Sequence, residues 1–355
     1  MSLSNNRTFF KNFVPVLIKD SPIAGGSGSE IILISINLTG TRLVNSRTDR
    51  SIRIWKCTPE RLIDPIIIEH PHLKAVERIS WNPKTEFSFA TVGRDDLVKI
   101  WRCTGALEKE LKIVKSGNTN ESGTDVVCQI VAYSNDGEIL TVVDRDSTVY
   151  LYSVSNNYNK FHEFKLNDHI YDILWFHHGH SFFMCALHDG SVPIYKVTDV
   201  LPGANGSAIT DASPDTEVVN SVTIDLKHKL TGHRSSATCV AVDPRGKYCA
   251  VGSNEGVVSL WNTSSMLISK VLTNTDEAIA NIDISRDGTY VAVAYDSGEN
   301  IKIFDYDTTE QVYEVPNSNS GNLALSHITW FPSKTAFVHT SDNGKTMTLM
   351  KKPGK

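Results

Sequence analysis

The sequence predicts an all-β fold, a seven-bladed β-propeller, because one short motif recurs along most of its length. Each copy joins an acidic or turn residue to a run rich in β-branched residues and ends in an aromatic or large apolar residue. Consecutive copies end 46, 51, 43, 66, 43 and 46 residues apart, close to the ~40–45-residue period of propeller blades. The closing residues are Trp55, Trp101, Tyr152, Tyr195, Trp261, Phe304 and Met350.

Turn signals between the copies predict the other strands of each blade. In blade two, one strand ends at Trp81, residues 82–85 form a turn, and a second strand covers 87–92. Pro and Gly stand at strand ends because Pro cannot donate to a ladder and Gly accepts positive φ. Apolar runs such as CVAVDP and YVAVAY fit inner strands buried between blades. The first turn recurs as SNDGE (134–138), HHGHS (177–181), DPRGK (243–247), SRDGT (285–289) and FPSKT (331–335).

The N-terminal segment, residues 1–30, is predicted to close the ring. No outer strand follows the third strand of blade seven, and residues at about 9–18 have the composition of a strand. Pairing them with the last strand would remove an open sheet edge, and Pro15 is tolerable in such an outermost strand. Alternatively, residues 1–30 form a flexible tail. Residues 24–29 resemble a flexible linker, either native or engineered.

The longest spacing contains a segment, 201–221, that is rich in Gly, Ala, Ser, Asp and Pro. Such a composition predicts a disordered surface loop, here placed before the outer strand of blade four. It is either an insertion without a role or a partner-binding segment. The propeller itself is expected to span 31–350, with 351–355 as a short basic tail.

Composition predicts a soluble intracellular protein. Hydrophobic residues make up 40% of the chain, enough for a packed core, and the net charge of -5 argues against a polycation that binds nucleic acid along its whole surface. The six cysteines show no CxxC pairing and are expected to be reduced. No apolar run approaches the ~18 residues of a membrane helix, and the polar N-terminus is not a signal peptide.

The repeat carries residues typical of WD40 blades. There, an acid in the turn before the third strand pairs with a His of the preceding connection, and a Ser or Thr and a Trp complete the network. His233, Ser253 and Trp261 match in blade five, with Glu255 in place of Asp, and His72, Asp95 and Trp101 match in blade two, with Gly93 in place of Ser. We therefore predict structural roles for Asp49, Trp55, His72, Asp95, Trp101, Asp146, Asp189, His233, Ser253 and Trp261.

Catalytic and metal sites are not predicted. The sequence lacks GxSxG, HExxH and GxxxxGK[ST], and the glycine-rich GGSGSE has no Lys. His177, His178 and His180, near His169 and His188, fit no standard zinc spacing and lie in a hairpin turn that would splay the ligands. The prediction is a protein that is not an enzyme and holds no metal or cofactor.

One arc of basic residues is a candidate partner-binding rim. The turns between the second and third strands of blades one to three contain Arg47, Arg50, Arg94 and Arg145. The planar guanidinium of Arg suits bidentate pairing with carboxylates, and Arg is enriched at binding hot spots. Neighbouring aspartates leave a second interpretation, a solvated rim without a partner. If the rim binds, an acidic protein segment fits better than RNA, because no ladder of aromatic residues accompanies it.

The chain as a whole resembles the WD40 subunit of the THO complex, the core of the TREX assembly. The resemblance lies in VERISWNPKTEFSFATVGRDDLVKIW (76–101), IYDILWFHHGHSFFMCALHDGSVPIY (170–195), CVAVDPRGKYCAVGSNEGVVSLWN (239–262) and VYEVPNSNSGNLALSHITWFPSKTAFV (312–338). The 201–221 segment and the short C-terminal tail depart from the pattern of that family, which leaves an RNA-binding extension in doubt.

This resemblance implies a nuclear, non-catalytic scaffold in transcription-coupled mRNP assembly and mRNA export. Its partners would be large helical THO subunits, with at most indirect or weak RNA association and neither a membrane nor a small-molecule substrate. The alternative is another nuclear WD40 scaffold or a peptide receptor, in a histone-modifying complex or a ubiquitin ligase.

Overall fold

Seven four-stranded antiparallel sheets make up the computed structural model, as the repeat predicts. The structure describes residues 8–18, 20, 28–58, 60–116, 126–176, 181–200, 221–273, 277–296, 298–319, 325–333 and 335–353. Their regular structure is 28 strands and one turn of helix at 8–11. In this part of the chain, no helix has the length and apolar character needed to cross a membrane.

Blades one to four follow the chain in order, each with its strands paired in sequence. Blade one contains β2 (Ile31–Ile36), β3 (Arg42–Arg47), β4 (Ser51–Cys57) and β5 (Leu62–Glu69). Blade two contains β6 (Arg78–Trp81), β7 (Ser88–Val92), β8 (Leu97–Arg102) and β9 (Leu107–Lys112). Blade three contains β10 (Cys128–Tyr133), β11 (Ile139–Asp144), β12 (Thr148–Ser153) and β13 (Asn159–Lys165). Blade four contains β14 (Ile170–Phe176), β15 (Phe182–Leu187), β16 (Val192–Val200) and β17 (Ser221–Leu230).

Blades five to seven complete the ring. Blade five contains β18 (Ala237–Val242), β19 (Tyr248–Ser253), β20 (Val258–Asn262) and β21 (Ile268–Leu272). Blade six contains β22 (Ile279–Ile284), β23 (Tyr290–Tyr295), β24 (Lys302–Asp305) and β25 (Gln311–Glu314). Blade seven combines β26 (Ile328–Trp330), β27 (Ala336–Ser341) and β28 (Thr346–Lys351) with the N-terminal β1 (Val14–Ile18).

Closure by an N-terminal strand is confirmed, with a shorter strand than the sequence predicts. β1 runs antiparallel to β28 in a register from Val14↔Lys351 to Ile18↔Met347. Residues 9–13, predicted as strand, instead enter a helical turn, because Phe10 and Phe13 bury their rings in the core of the last two blades. The ring of Phe10 lies 4.8 Å from that of Tyr290 and 5.2 Å from that of Tyr313.

A buried ionic cluster follows the closing strand. The Asp20 carboxylate pairs with Arg53 and, at 2.9 Å, with Arg47, and all three side chains are almost completely buried. Arg47 also donates to the carbonyl of Lys345 at 2.8 Å. A buried charge needs a partner. The pairing of Asp20 therefore joins the N-terminal segment to blade one, and Arg47 joins blade one to the last hairpin.

The predicted insertion falls between the two strands of a long hairpin in blade four. β16 and β17 pair as far as Val200↔Ser221, well beyond the length of the other outer hairpins. Residues 201–220 lie outside the described residues, and so do 1–7 and 21–27, which contain most of the predicted linker.

Polar side chains of the inner strands join neighbouring blades around the axis. Asp172 accepts a hydrogen bond from the Val240 amide at 3.0 Å, and Asp283 accepts one from the Trp330 amide at 2.7 Å. Thr238 donates to the carbonyl of Ile279 at 2.6 Å. An innermost strand has a free edge, and these side chains satisfy backbone groups that it would otherwise leave unpaired.

Candidate partner-binding surfaces

Blade two contains the full hydrogen-bond network of a WD repeat. The Nδ1 atom of His72 lies 3.0 Å from both Asp95 carboxylate oxygens, and its Nε2 lies 2.8 Å from the Thr91 hydroxyl. Trp101 donates its indole N–H to the same hydroxyl at 2.9 Å. Burial alone would raise the pKa of Asp95, but hydrogen bonding to His72 and to backbone amides outweighs it and lowers that pKa. Gly93 stands where the sequence pattern places the hydroxyl, and Thr91, ten residues before the Trp, supplies that hydroxyl instead.

Blade five builds the same network with one change of position. His233 Nε2 and the Trp261 indole N–H each lie 2.7 Å from the hydroxyl of Ser259. Ser253, predicted for this role, instead donates to the carbonyl of Val257 within its own turn. Val251 lies ten residues before Trp261, as Thr91 lies ten residues before Trp101. Ser259 is the cross-strand partner of Val251, so the side chains of Val251 and Ser259 share one face of the sheet and Ser259 can supply the hydroxyl.

The acid of blade five is too distant to complete the network. Glu255 Oε1 lies 3.8 Å from His233 Nδ1, beyond hydrogen-bond reach. That buried Nδ1 atom has no hydrogen-bond partner among the described residues. Burial lowers the pKa of His233, and the nearby Glu255 carboxylate only partly offsets the effect.

Blade one retains its Trp and its turn acid in altered settings. The Trp55 indole donates to the Asn45 side chain at 2.7 Å, again ten residues earlier. Asp49 accepts hydrogen bonds from the amide and hydroxyl of Ser51, at 2.9 and 2.6 Å, and closes its own turn.

The turn acids of blades three and four are more exposed. Asp146 has a half-exposed side chain that pairs with Lys115 at 2.6 Å. The buried carboxylate of that turn is Asp144, which accepts from the Thr148 amide at 2.9 Å and from the Tyr150 hydroxyl at 3.0 Å. Asp189 closes its turn through the Ser191 amide at 2.8 Å and pairs with Lys229 at 3.1 Å.

We call the end of the propeller that carries the turns between second and third strands the arginine face. Arg47 does not belong to its exposed surface, because only 5% of the residue is exposed. Its guanidinium is held by Asp20, by Ser29 and by the Lys345 carbonyl. The expected four-arginine arc therefore becomes three exposed residues, Arg50, Arg94 and Arg145.

Two of these arginines flank the connection between blades one and two. Arg50 donates to the Leu73 carbonyl at 3.3 Å, and Arg94 pairs with Glu77 at 2.6 Å. Both have positive φ, 66° and 54°, a conformation that favours glycine. Arg145 lies in the corresponding turn of blade three.

The opposite end of the propeller holds a cavity that the sequence pattern does not predict. We call this end, which carries the turns between first and second strands, the cavity face. The cavity measures about 760 Å³ and is lined from six consecutive blades, which places it on the propeller axis. Its lining includes Leu38, Trp81, Leu174, Phe176, Arg245 and Arg286. The signal was present in the turns DPRGK and SRDGT, where each turn carries an Arg.

A second cavity of about 180 Å³ is lined by inner strands, including Arg78, Asp172, Asn281 and His327. The described residues contain no group of three His, Cys, Asp or Glu side chains that could hold a metal ion. His177, His178 and His180 lie outside the described residues, whereas the Tyr171 hydroxyl lies 3.2 Å from His188 Nδ1.

The seven four-stranded blades and the His–Asp–Thr–Trp network define a WD-repeat β-propeller. The family model of the Vps8 β-propeller matches residues 216–352, less than half of the chain.

Three relatives extend the comparison along most of the chain. THO complex subunit 3 of Arabidopsis thaliana is 24% identical over 324 residues, which cover 90% of this chain and 88% of the relative. Protein TEX1 of Saccharomyces cerevisiae is 19% identical over 89% of this chain and 70% of its own length. WD repeat-containing protein AAC3 of Dictyostelium discoideum is 26% identical over 74% of this chain and 52% of its own length. The resemblance to the THO WD40 subunit is thus confirmed.

Proposed function

We propose that this chain is a non-catalytic scaffold subunit of a THO-type complex in the nucleus, acting in mRNP assembly and mRNA export. The observation that carries the proposal is the match to a relative named THO complex subunit 3, which covers 90% of this chain and 88% of the relative. A match that covers most of both chains spans most of the propeller and is not limited to a few blades.

The sides of the blades support a scaffold role. Several outer strands expose large apolar side chains, as expected of surfaces that another protein covers. In blade five, Leu267 is 66% exposed, Ile268 42% and Val271 45%. In blade one, the outer-strand residues Ile66 and Ile67 are each 38% exposed. Large helical subunits could pack against such surfaces without occupying the propeller axis.

The competing proposal is a peptide receptor that uses the arginine face. The exposed guanidiniums of Arg50, Arg94 and Arg145 favour it, since they could pair with an acidic segment. Arg94 already pairs with Glu77 on the surface, so a partner would have to displace that carboxylate.

Affinity purification of the tagged, endogenous protein followed by mass spectrometry separates the two proposals. We expect stoichiometric recovery of large helical THO-type subunits, with little change in the Arg94→Glu, Arg145→Glu double variant. A receptor would lose its main partner in the double variant. Absence of THO-type subunits from the wild-type sample would overturn the scaffold proposal.

A further inference from the structure

The cavity face combines a cavity that has a partly apolar lining with two guanidiniums at one end of the propeller axis. Leu38 and Trp81 contribute apolar surface from blades one and two, and Leu174 contributes from blade four. Leu38 is 60% exposed, although it lines the cavity. A cavity of about 760 Å³ falls within the size range of sites that take a small ligand or a few side chains of a peptide.

Arg245 is held in position at the edge of this cavity. Its Nε lies 3.3 Å from a carboxylate oxygen of Asp243, a residue that is only 1% exposed. A Cβ atom at position 288 would overlap the Arg245 guanidinium, so Gly288 of the next blade provides the space in which it lies. The Tyr248 hydroxyl donates to the Gly288 carbonyl at 3.1 Å and fixes the two turns together.

Arg286 provides a second exposed guanidinium. It is exposed, lines the same cavity and makes no ion pair with any described residue. Its neighbour Asp287 is engaged inside the turn, where it accepts from the Ser285 hydroxyl at 2.9 Å and the Thr289 amide at 3.2 Å. Asp243 is buried beneath Arg245, whereas Arg245 and Arg286 are both exposed, so the edge of the cavity presents two guanidiniums next to an apolar wall.

We propose that the cavity face binds a short acidic peptide segment of a partner protein that also carries one large apolar side chain. The apolar side chain enters the cavity against Leu38, Trp81 and Leu174, and flanking carboxylates pair with Arg286 and Arg245. Guanidiniums favour carboxylates through two parallel hydrogen bonds, and an apolar anchor next to charged contacts is a common arrangement at binding hot spots. The proposal does not depend on the THO-type scaffold role, because it concerns a different surface.

The test is a selection of random short peptides displayed on phage against the full chain, followed by fluorescence anisotropy of the selected peptides. We expect acidic peptides with one conserved large apolar residue. Their affinity should fall by about tenfold or more in Arg286→Glu and in Leu38→Ser, and should decrease as salt increases. Both residues are exposed, so the variants should fold.

Two matched variants on the arginine face serve as controls. Arg94→Glu reverses an exposed charge and Leu73→Ser truncates an exposed leucine, and neither should change the affinity. The proposal is overturned if selection yields no acidic-apolar peptides, or if their affinity is unchanged in Arg286→Glu. It is also overturned if a single-stranded oligouridine, and not the peptides, binds in a manner that Arg286→Glu abolishes.

Discussion

At the scale of single residues, the blade networks show what sequence spacing can and cannot predict. The Trp and its acceptor lie ten residues apart in blades one and two, as Trp55–Asn45 and Trp101–Thr91, so this part of the network follows from the sequence. In blade five, the hydroxyl comes from Ser259 on the opposite strand. Choosing it over Ser253 requires the register Val251↔Ser259, which is a property of the paired strands.

The incomplete network of blade five predicts that Glu255→Asp stabilises the protein. Glu255 stands six residues before its Trp, as Asp95 does in blade two. An Asp at this position would therefore place its carboxylate next to His233 Nδ1 as Asp95 does next to His72 Nδ1, at 3.0 Å. A hydrogen bond to a buried, unpaired group contributes about 1 kcal/mol. Urea denaturation of the full chain measures the change, and the reciprocal Asp95→Glu variant should be destabilised by a similar amount. A loss of stability in Glu255→Asp would contradict the prediction.

A buried histidine predicts how stability depends on pH. His339 is 1% exposed, and burial lowers its pKa to about 4 from 6.5. As the pH falls, the unfolded chain takes up a proton at this histidine before the folded protein does. The free energy of unfolding therefore decreases between pH 6.5 and 4, and this group accounts for about 3 kcal/mol of the decrease.

Replacing His339 by Asn tests this dependence, because Asn retains a donor for the Thr340 carbonyl, which lies 2.7 Å from His339 Nδ1, and does not titrate. We expect the free energy of unfolding to fall less steeply between pH 6.5 and 4 than in the wild type. Thermal denaturation at several pH values gives the slopes. Equal slopes for the two proteins would contradict the assignment to His339.

At the scale of elements, the order of strands follows from the sequence more closely than the closure does. The repeat predicts four strands for every blade, since turns and apolar runs alternate regularly. The helical turn at 8–11 and the pairing of Asp20 with Arg47 and Arg53 depend on contacts between distant segments. The burial of Arg47 also depends on distant segments, because its partners Asp20 and Lys345 lie 27 and 298 residues away. The sequence alone therefore predicts an exposed turn residue at this position.

The Asp20 cluster predicts a large effect of a small change. Asp20→Asn would leave two buried guanidiniums without their shared carboxylate, and breaking a buried ion pair costs about 3–5 kcal/mol. The control is Asp225→Asn, which breaks a half-exposed pair with Lys227 and should cost less than about 1 kcal/mol. Differential scanning fluorimetry of both variants compares the losses. Equal melting temperatures for Asp20→Asn and Asp225→Asn would show that Asp20 does not stabilise the closure of the ring.

At the scale of the whole molecule, the propeller separates three kinds of surface. The arginine face and the cavity face lie at opposite ends of the axis, and the outer strands form the sides. Each surface could serve a different partner without competition. The repeat predicts this arrangement, but not the chemistry of each surface, because exposure of a side chain depends on packing between blades.

The sides of the blades give a prediction for assembly. Val271→Asp places a charge on the apolar outer strand of blade five, where the wild-type residue is 45% exposed. We expect reduced recovery of THO-type helical subunits at an unchanged melting temperature, measured by quantitative mass spectrometry of the purified complex. Recovery equal to that of the wild type would place the subunit contact elsewhere on the propeller.

The pairing of β1 with β28 also has a consequence for biosynthesis. The ribosome releases β1 before β2 to β27 and releases its partner β28 after them, so β1 remains unpaired while those strands are synthesised. An unpaired strand edge with exposed aromatic residues is a site of misassembly. Nascent chains should therefore depend on chaperones until the ring closes, and tethering at the C-terminus should delay maturation more than tethering at the N-terminus.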